Sequence, residues 1–136
     1  MSGVDFPDDP EERIKAMLDC QFMKKMNMEV ISIDENEVRL AMDVEGCRNA
    51  MGNGHGAAVF ALADMAFALA ANKTGDPEVA VSATVNFMRP ARGRLEAVAS
   101  MMEETNSTSF YQVQVYDGET LVATFQGLGH KLRKRK

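Results

Sequence analysis

Between Gly56 and Ala71 the chain reads GAAVFALADMAFALAA, with Asp64 as the one polar side chain. This run predicts a helix from about 55 to 73, ending before Thr74-Gly75-Asp76-Pro77, and a helix apolar all round is normally buried. Upstream, Asp9-Pro10-Glu11-Glu12 combines an N-cap acid, a proline at the first helical position and a glutamate at the third. Ile14, Met17, Leu18 and Phe22 follow at helical spacing, predicting one amphipathic helix from 10 to about 24. The period then falls to two. Met28, Val30 and Ser32 alternate with Glu29, Ile31 and Ile33, and Val38, Leu40, Met42 and Val44 alternate with Glu37, Arg39, Ala41 and Asp43. With Asp34-Glu35-Asn36-Glu37 between them, these stretches predict a hairpin. After the apolar helix come four strand-like stretches, 79–88, 94–104, 108–116 and 120–129, with Asp117-Gly118 as the turn signal between the last two.

The predicted order is helix, two strands, long apolar helix, four strands. A helix that needs cover all round, in a chain of strands, is best satisfied by a sheet curling about it. The fold class is therefore α+β, an antiparallel curled sheet wrapped around one long buried helix.

At 136 residues the chain fits one domain. Its net charge of −5 is unevenly placed: five acids and no base in the first twelve residues, and five bases in the closing KLRKRK. That tail reads either as a solvated end or as a place for phosphate groups. Nucleic acid is not indicated, because no matching motif occurs and the rest of the chain is acidic. The longest apolar stretch is too short to span a membrane, and the acidic start lacks the pattern of a signal peptide, so a cytoplasmic location is expected. Cys20 and Cys47 form no disulfide framework and have no further Cys or His at ligand spacing, so they read as packing residues and no metal site is expected.

The candidate chemistry sits at the apolar helix. A carboxylate there is costly unless it is paired, protonated or used, and no Lys or Arg lies within a turn or two of Asp64. The approach to the helix, Asn49-Ala-Met-Gly-Asn-Gly-His55-Gly56, is polar and glycine-rich.

Asn49, His55-Gly56, Leu62-Ala63-Asp64-x-Ala66 and Asn86-Phe87-Met88-Arg89-Pro90-Ala91 together resemble the hotdog-fold acyl-CoA thioesterases of the phenylacetyl-CoA thioesterase (PaaI-like) type. The likeness runs from about 25 to 130, which sets off residues 1–24 as an acidic segment with its helix, 25–130 as the hotdog domain and 131–136 as a basic tail. The family usually shows His-Gly-Gly where this chain has His55-Gly56-Ala57, and a methyl at 57 is expected to narrow the pocket near the thioester. The resemblance implies thioester hydrolysis on an acyl-CoA, with coenzyme A as part of the substrate and no separate cofactor, in a homodimer that pairs into a dimer of dimers. It implies that Asp64 is general base or nucleophile, that the Gly56 amide polarises the carbonyl, and that Asn49 positions the attacking water or the thioester. It also implies help from a hydroxyl on the strand after the helix, for which Ser82 and Thr84 are the candidates. His55 is as well suited to shaping the turn as to touching substrate. Arg89 and Arg92, on either side of Pro90, read either as solvated charges or as contacts for the phosphates of CoA. Asn53 reads as a turn residue and His130 as surface. The eleven methionines read as adaptable core and acyl-pocket lining.

Geometry adds a constraint. Gly56 begins the helix, where free N–H groups and the dipole favour a developing negative charge, and glycine admits a close approach to the backbone. Asp64 lies eight residues on, about 12 Å along the axis at 1.5 Å per residue. One carbonyl carbon cannot lie within about 3 Å of both groups of one chain. Two antiparallel copies related by a two-fold axis would set each Gly56 near the partner's Asp64, so the spacing argues for a dimer with shared sites. Two other functions compete: a hydratase or dehydratase on the same fold, for which His55 has no obvious second partner, and a non-catalytic acyl-CoA sensor, for which a lone buried carboxylate has little use.

Overall fold

The computed structural model describes residues 6–132; the first five residues and the last four of the basic tail lie outside the described residues. In chain order the elements are α1 (Pro10–Leu18), α2 (Gln21–Lys25), β1 (Glu29–Ile33), β2 (Glu37–Asp43), α3 (Gly56–Asn72), β3 (Glu78–Phe87), β4 (Arg94–Glu104), β5 (Thr108–Asp117) and β6 (Thr120–Lys131). The six strands form one antiparallel sheet in the order β1-β2-β4-β5-β6-β3, and α3 lies against five of them, β2 to β6.

Alternation sets which strand residues meet the helix. Val38, Leu40 and Met42 of β2, Leu95, Ala97 and Ala99 of β4, and Tyr111, Val113 and Val115 of β5 are buried, and they face Leu62, Ala66, Phe67 and Leu69 of α3. The Phe67 ring stacks at a tilt on Phe125 and Tyr111, with centroids 5.8 and 5.7 Å away. It also lies directly on the β6 backbone, since a Cβ added at Gly127 would stand 2.8 Å from it. Burying a ring of this size contributes about 1.5–3 kcal/mol.

Two expectations are corrected. The single helix over 10–24 is two helices, because Cys20 is extended (φ −70°, ψ 151°) and caps α2, its sulfur accepting from the Met23 N–H at 3.4 Å. The break shifts the helical phase: Met23 is buried, while Phe22, on the predicted apolar stripe, is 48% exposed. The Asp-Gly signal also shifts by one residue. Asp117 pairs with Thr120, so the loop is Gly118-Glu119, with Gly118 at φ +62° in its first position, as a glycine-led two-residue hairpin loop requires.

Both ends of the strand–helix frame are tied. Asp9 caps α1 through the Glu12 N–H (3.2 Å). Arg13, fully buried, donates to the carbonyls of Asn72, Thr74 and Gly75, placing a cation at the C-terminus of α3, where the helix dipole favours it. The Asn72 amide bridges to β3, accepting from the Glu78 N–H (2.8 Å) and donating to the Glu78 carbonyl (3.2 Å). The buried Glu78 carboxylate accepts from Ser109 Oγ at 2.7 Å and fills the space left by Gly129; burial raises its pKa. Among the described residues, no helix is long and apolar enough to cross a membrane.

The sheet does not cover α3 all round. Ala57 is exposed, and Phe60, Ala61, Asp64, Met65 and Ala68 are half-buried along one stripe of the helix. The β3 edge is open too, and Val79, Val81 and Phe87 on it are 46, 58 and 56% exposed.

Candidate active site

The loop from β2 to α3 is held by backbone bonds to the β3–β4 turn. The Val44 N–H donates to Gly93 O (3.1 Å), the Gly54 N–H to Ala91 O (2.7 Å) and the His55 N–H to Cys47 O (2.8 Å). Gly54 is required here, because a Cβ would stand 2.7 Å from Val44 Cγ1. Arg48 pins the same loop, donating to the Glu45 carboxylate and to Gly52 O (2.6 Å).

Within this loop Asn49 has a defined orientation. Its Oδ1 accepts from the N–H groups of Met51 (3.0 Å) and Asn53 (3.1 Å), so the oxygen end of the amide is committed to the turn. The NH₂ end makes no hydrogen bond among the described residues and remains available to a ligand. Asn53 contributes its backbone to the same turn, its carbonyl accepting from the Asn49 N–H at 2.7 Å.

His55 is the N-cap of α3. Its Nδ1 accepts from the Ala57 N–H at 3.0 Å, so the capping form is the neutral tautomer protonated on Nε2. The next residue, Gly56, opens the helix. As the first helical residue it has no intrahelical acceptor for its N–H, and no other protein acceptor engages it among the described residues. The Phe87 ring stands 3.3 Å from where a Gly56 Cβ would be, so a side chain there would press on the ring.

A recess of about 340 Å³ opens at this point, bringing together Asn49, Gly56 and Arg89 between apolar walls that include Val59, Phe87 and Met88. One Arg89 guanidinium nitrogen donates to Leu121 O at 2.8 Å, which holds the side chain at the mouth and leaves its other donors unspent. Arg92 is exposed outside the recess, and its backbone N–H is held by Asp117 Oδ2 (2.8 Å).

Four further candidates stand apart. Asp64 lies two turns along α3, half-buried; burial raises its pKa, and its carboxylate has no hydrogen bond or ion pair among the described residues. Ser82 and Thr84 are exposed and pair with Leu128 and Gln126, positions that alternate with Phe125 and Gly127 on the helix side. One protomer therefore directs neither hydroxyl toward α3. Ala57, expected to narrow the thioester recess, is absent from its lining and borders a separate groove beside α2. Cys20 and Cys47 are free and half-buried. The Cys47 thiol donates to Val44 O at 3.1 Å and burial raises its pKa, the reverse of an activated nucleophile. Among the described residues no group of three or more His, Cys, Asp or Glu side chains is placed to hold a metal.

The sequence assigned no role to Arg48 or to Phe87. Glu45-x-x-Arg48 is a legible ion-pair spacing, but nothing local says that its role is to hold Asn49. The aromatic beside the Arg-Pro turn becomes a wall of the site only through the β3–β6 register.

Comparison with known proteins shows the family and the fold. Residues 51–124 match the model of the thioesterase superfamily. The acyl-coenzyme A thioesterase PaaI of Escherichia coli (strain K12) is 33% identical over 113 residues, covering 80% of this chain and 81% of that protein. The E. coli PaaI structure superposes with a TM-score of 0.84 at 29% identity, covering 91% of this chain and 94% of that one. A mutant of the phenylacetic acid degradation protein PaaI from Thermus thermophilus gives 0.79 at 34% identity, covering 83% of this chain and 100% of that one. The chain therefore belongs to the thioesterase superfamily and, within it, to the PaaI-like hotdog-fold acyl-CoA thioesterases.

Proposed function

We propose that the protein hydrolyses an acyl-CoA thioester to the free acid and CoA in two sites, each shared between the chains of a homodimer. The observation that carries this reading is a pair of groups on α3 without partners among the described residues: the Gly56 N–H at the helix start and a half-buried Asp64 carboxylate about 12 Å further along. In the proposed site the thioester carbonyl accepts from the Gly56 N–H at the positive end of the helix dipole, where negative charge develops. The Asn49 NH₂ orients the carbonyl or the attacking water. Asp64 of the other chain, ionised, removes a proton from that water as it attacks, and the collapsing tetrahedral intermediate expels the thiolate, which takes a proton. The same placement serves direct attack by the carboxylate. The uncovered stripe of α3 and the open β3 edge support the dimer, since both leave apolar surface that a second copy would bury.

Release of free thiol from a panel of acyl-CoAs tests the proposal. Thiol release is expected. Hydration of an enoyl-CoA without thiol would assign a hydratase, and saturable binding without turnover would assign a sensor.

Arg89 is proposed to meet the CoA phosphates, because it lines the recess with guanidinium donors to spare and Pro90 stiffens its turn. Arg89→Ala should raise KM for an acyl-CoA several-fold and leave a short thioester lacking the nucleotide little affected. Arg92→Ala should do less, since Arg92 is exposed and salt screens its charge, and removal of 131–136 should also do less than Arg89→Ala. Equal weakening of both thioesters by Arg89→Ala would put Arg89 at the acyl end or in the fold.

A further inference from the structure

Gly56 stands between two hollows. On one side is the recess of Asn49 and Arg89. On the other, lined by its neighbours in sequence His55 and Ala57, is an apolar groove of about 380 Å³ between α2 and the start of α3. Phe22 and Met26 of α2 form one wall, and Ala57, Ala58 and Ala61 of α3 form the other. Its polar members are already engaged: Arg48 is paired with Glu45 and Gly52 O, and His55 Nδ1 caps the helix, leaving the Nε2–H as a single donor. Among the described residues that line the groove, none carries an unpaired charge.

We infer that this groove receives the acyl group of the thioester, with Phe22, Ala57 and Ala61 deciding which acyl groups fit. The inference rests on the proposed thioesterase reading and extends it to the substrate's apolar half. Three observations fit together. Gly56 lines the first hollow and its neighbours in sequence, His55 and Ala57, line the second, so a carbonyl held at the Gly56 N–H is within one residue of both. Free donors divide them, since Arg89 lines the first with donors to spare and suits the phosphates of CoA, whereas Arg48 beside the second is taken up by Glu45 and Gly52 O and leaves a groove suited to an uncharged chain or ring. Finally, Ala57 and Ala61, four residues apart, put the floor of the groove on the uncovered stripe of α3, the face over which the second chain of the proposed dimer would bring its carboxylate to Gly56. The volume falls in the range of small-ligand sites. The alanine at 57 then trims the acyl groove and leaves the thioester recess untouched. The 48% exposure of Phe22 is that of a wall waiting for a ligand.

Two variants test this. Ala61→Phe fills the floor and Phe22→Ala removes the wall. The readout is the ratio of kcat/KM for the faster of octanoyl- and phenylacetyl-CoA to that for acetyl-CoA, compared within each variant. Ala61→Phe should lower the ratio about tenfold or more, the scale on which an apolar pocket discriminates by size. Phe22→Ala should change the ratio too, moving preference toward longer acyl groups; its side chain is half exposed, so it tests the idea even if Ala61→Phe fails to fold. Binding of the uncleavable thioether octyl-CoA, set against CoA alone, reads the groove without turnover. Wild type should bind the thioether more tightly than CoA, and Ala61→Phe should lose that difference. Thiol release with an unchanged ratio in both variants would overturn the groove and leave the thioesterase reading standing. Absence of thiol release, with the thioether preference present and lost in Ala61→Phe, would do the opposite. A partner chain seated in the groove would leave both the ratio and the thioether preference unmoved and change only the dimer's dissociation, which also overturns it.

Discussion

Asp64→Asn is expected to lose at least about two orders of magnitude in acyl-CoA turnover, the usual scale for removing an acid/base group. The variant should stay folded, because among the described residues the carboxylate makes no hydrogen bond or ion pair that an amide would break. Burial raises the pKa of Asp64 by penalising its charged form. A base must be ionised to act, so activity should be full above the raised pKa and fall as pH drops through it, with the acid limb of kcat/KM above the ordinary aspartate range. Near-normal hydrolysis by a folded Asp64→Asn protein would remove Asp64 from the mechanism. An acid limb at the ordinary aspartate value would mean that the partner chain or substrate restores the missing solvation.

The second large effect is a rescue. Asn49→Asp keeps the oxygen that accepts from Met51 and Asn53, so the turn persists, while the free NH₂ donor is lost. Each of Asp64→Asn and Asn49→Asp should be nearly inactive alone. When chains of the two exchange, a heterodimer has one site with both defects and one with neither, so it should recover about half of wild-type activity. Sites contained within one chain would each retain a defect, and mixing would restore nothing. Native mass spectrometry that detects heterodimers without recovered activity would therefore end the shared-site reading.

Much of this site can be read locally. The apolar run with one carboxylate marks α3 and Asp64 because helical periodicity and desolvation cost are properties of neighbouring residues. Asn49, His55 and Gly56 are legible for the same reason: a polar, glycine-rich turn before a helix has few other physical uses. The dimer argument is also local, since it rests on the length of eight helical residues. Less legible were the partners of these groups. The capping role of His55 depends on a backbone N–H two residues away and could be guessed, whereas the binding of Arg89 to Leu121 O joins positions far apart in sequence and could not.

The sequence by itself determined the six strands, the long helix that holds the carboxylate, their order and the family, because periodicity, turn chemistry and motif spacing act over a few residues. Only the tertiary structure decided which residues meet. Arg13, to all appearance an ordinary polar position of an amphipathic helix, is fully buried because the carbonyls at the end of α3 need a donor. Phe22 turned outward because Cys20 broke the helix, and Met23 took its place in the core. Ser82 and Thr84 fell on the face away from α3 because a bulge at Ala80–Ser82 sets the β3–β6 register. Each of these outcomes depends on a contact between distant segments, and such contacts are chosen by packing and hydrogen-bond satisfaction across the whole fold.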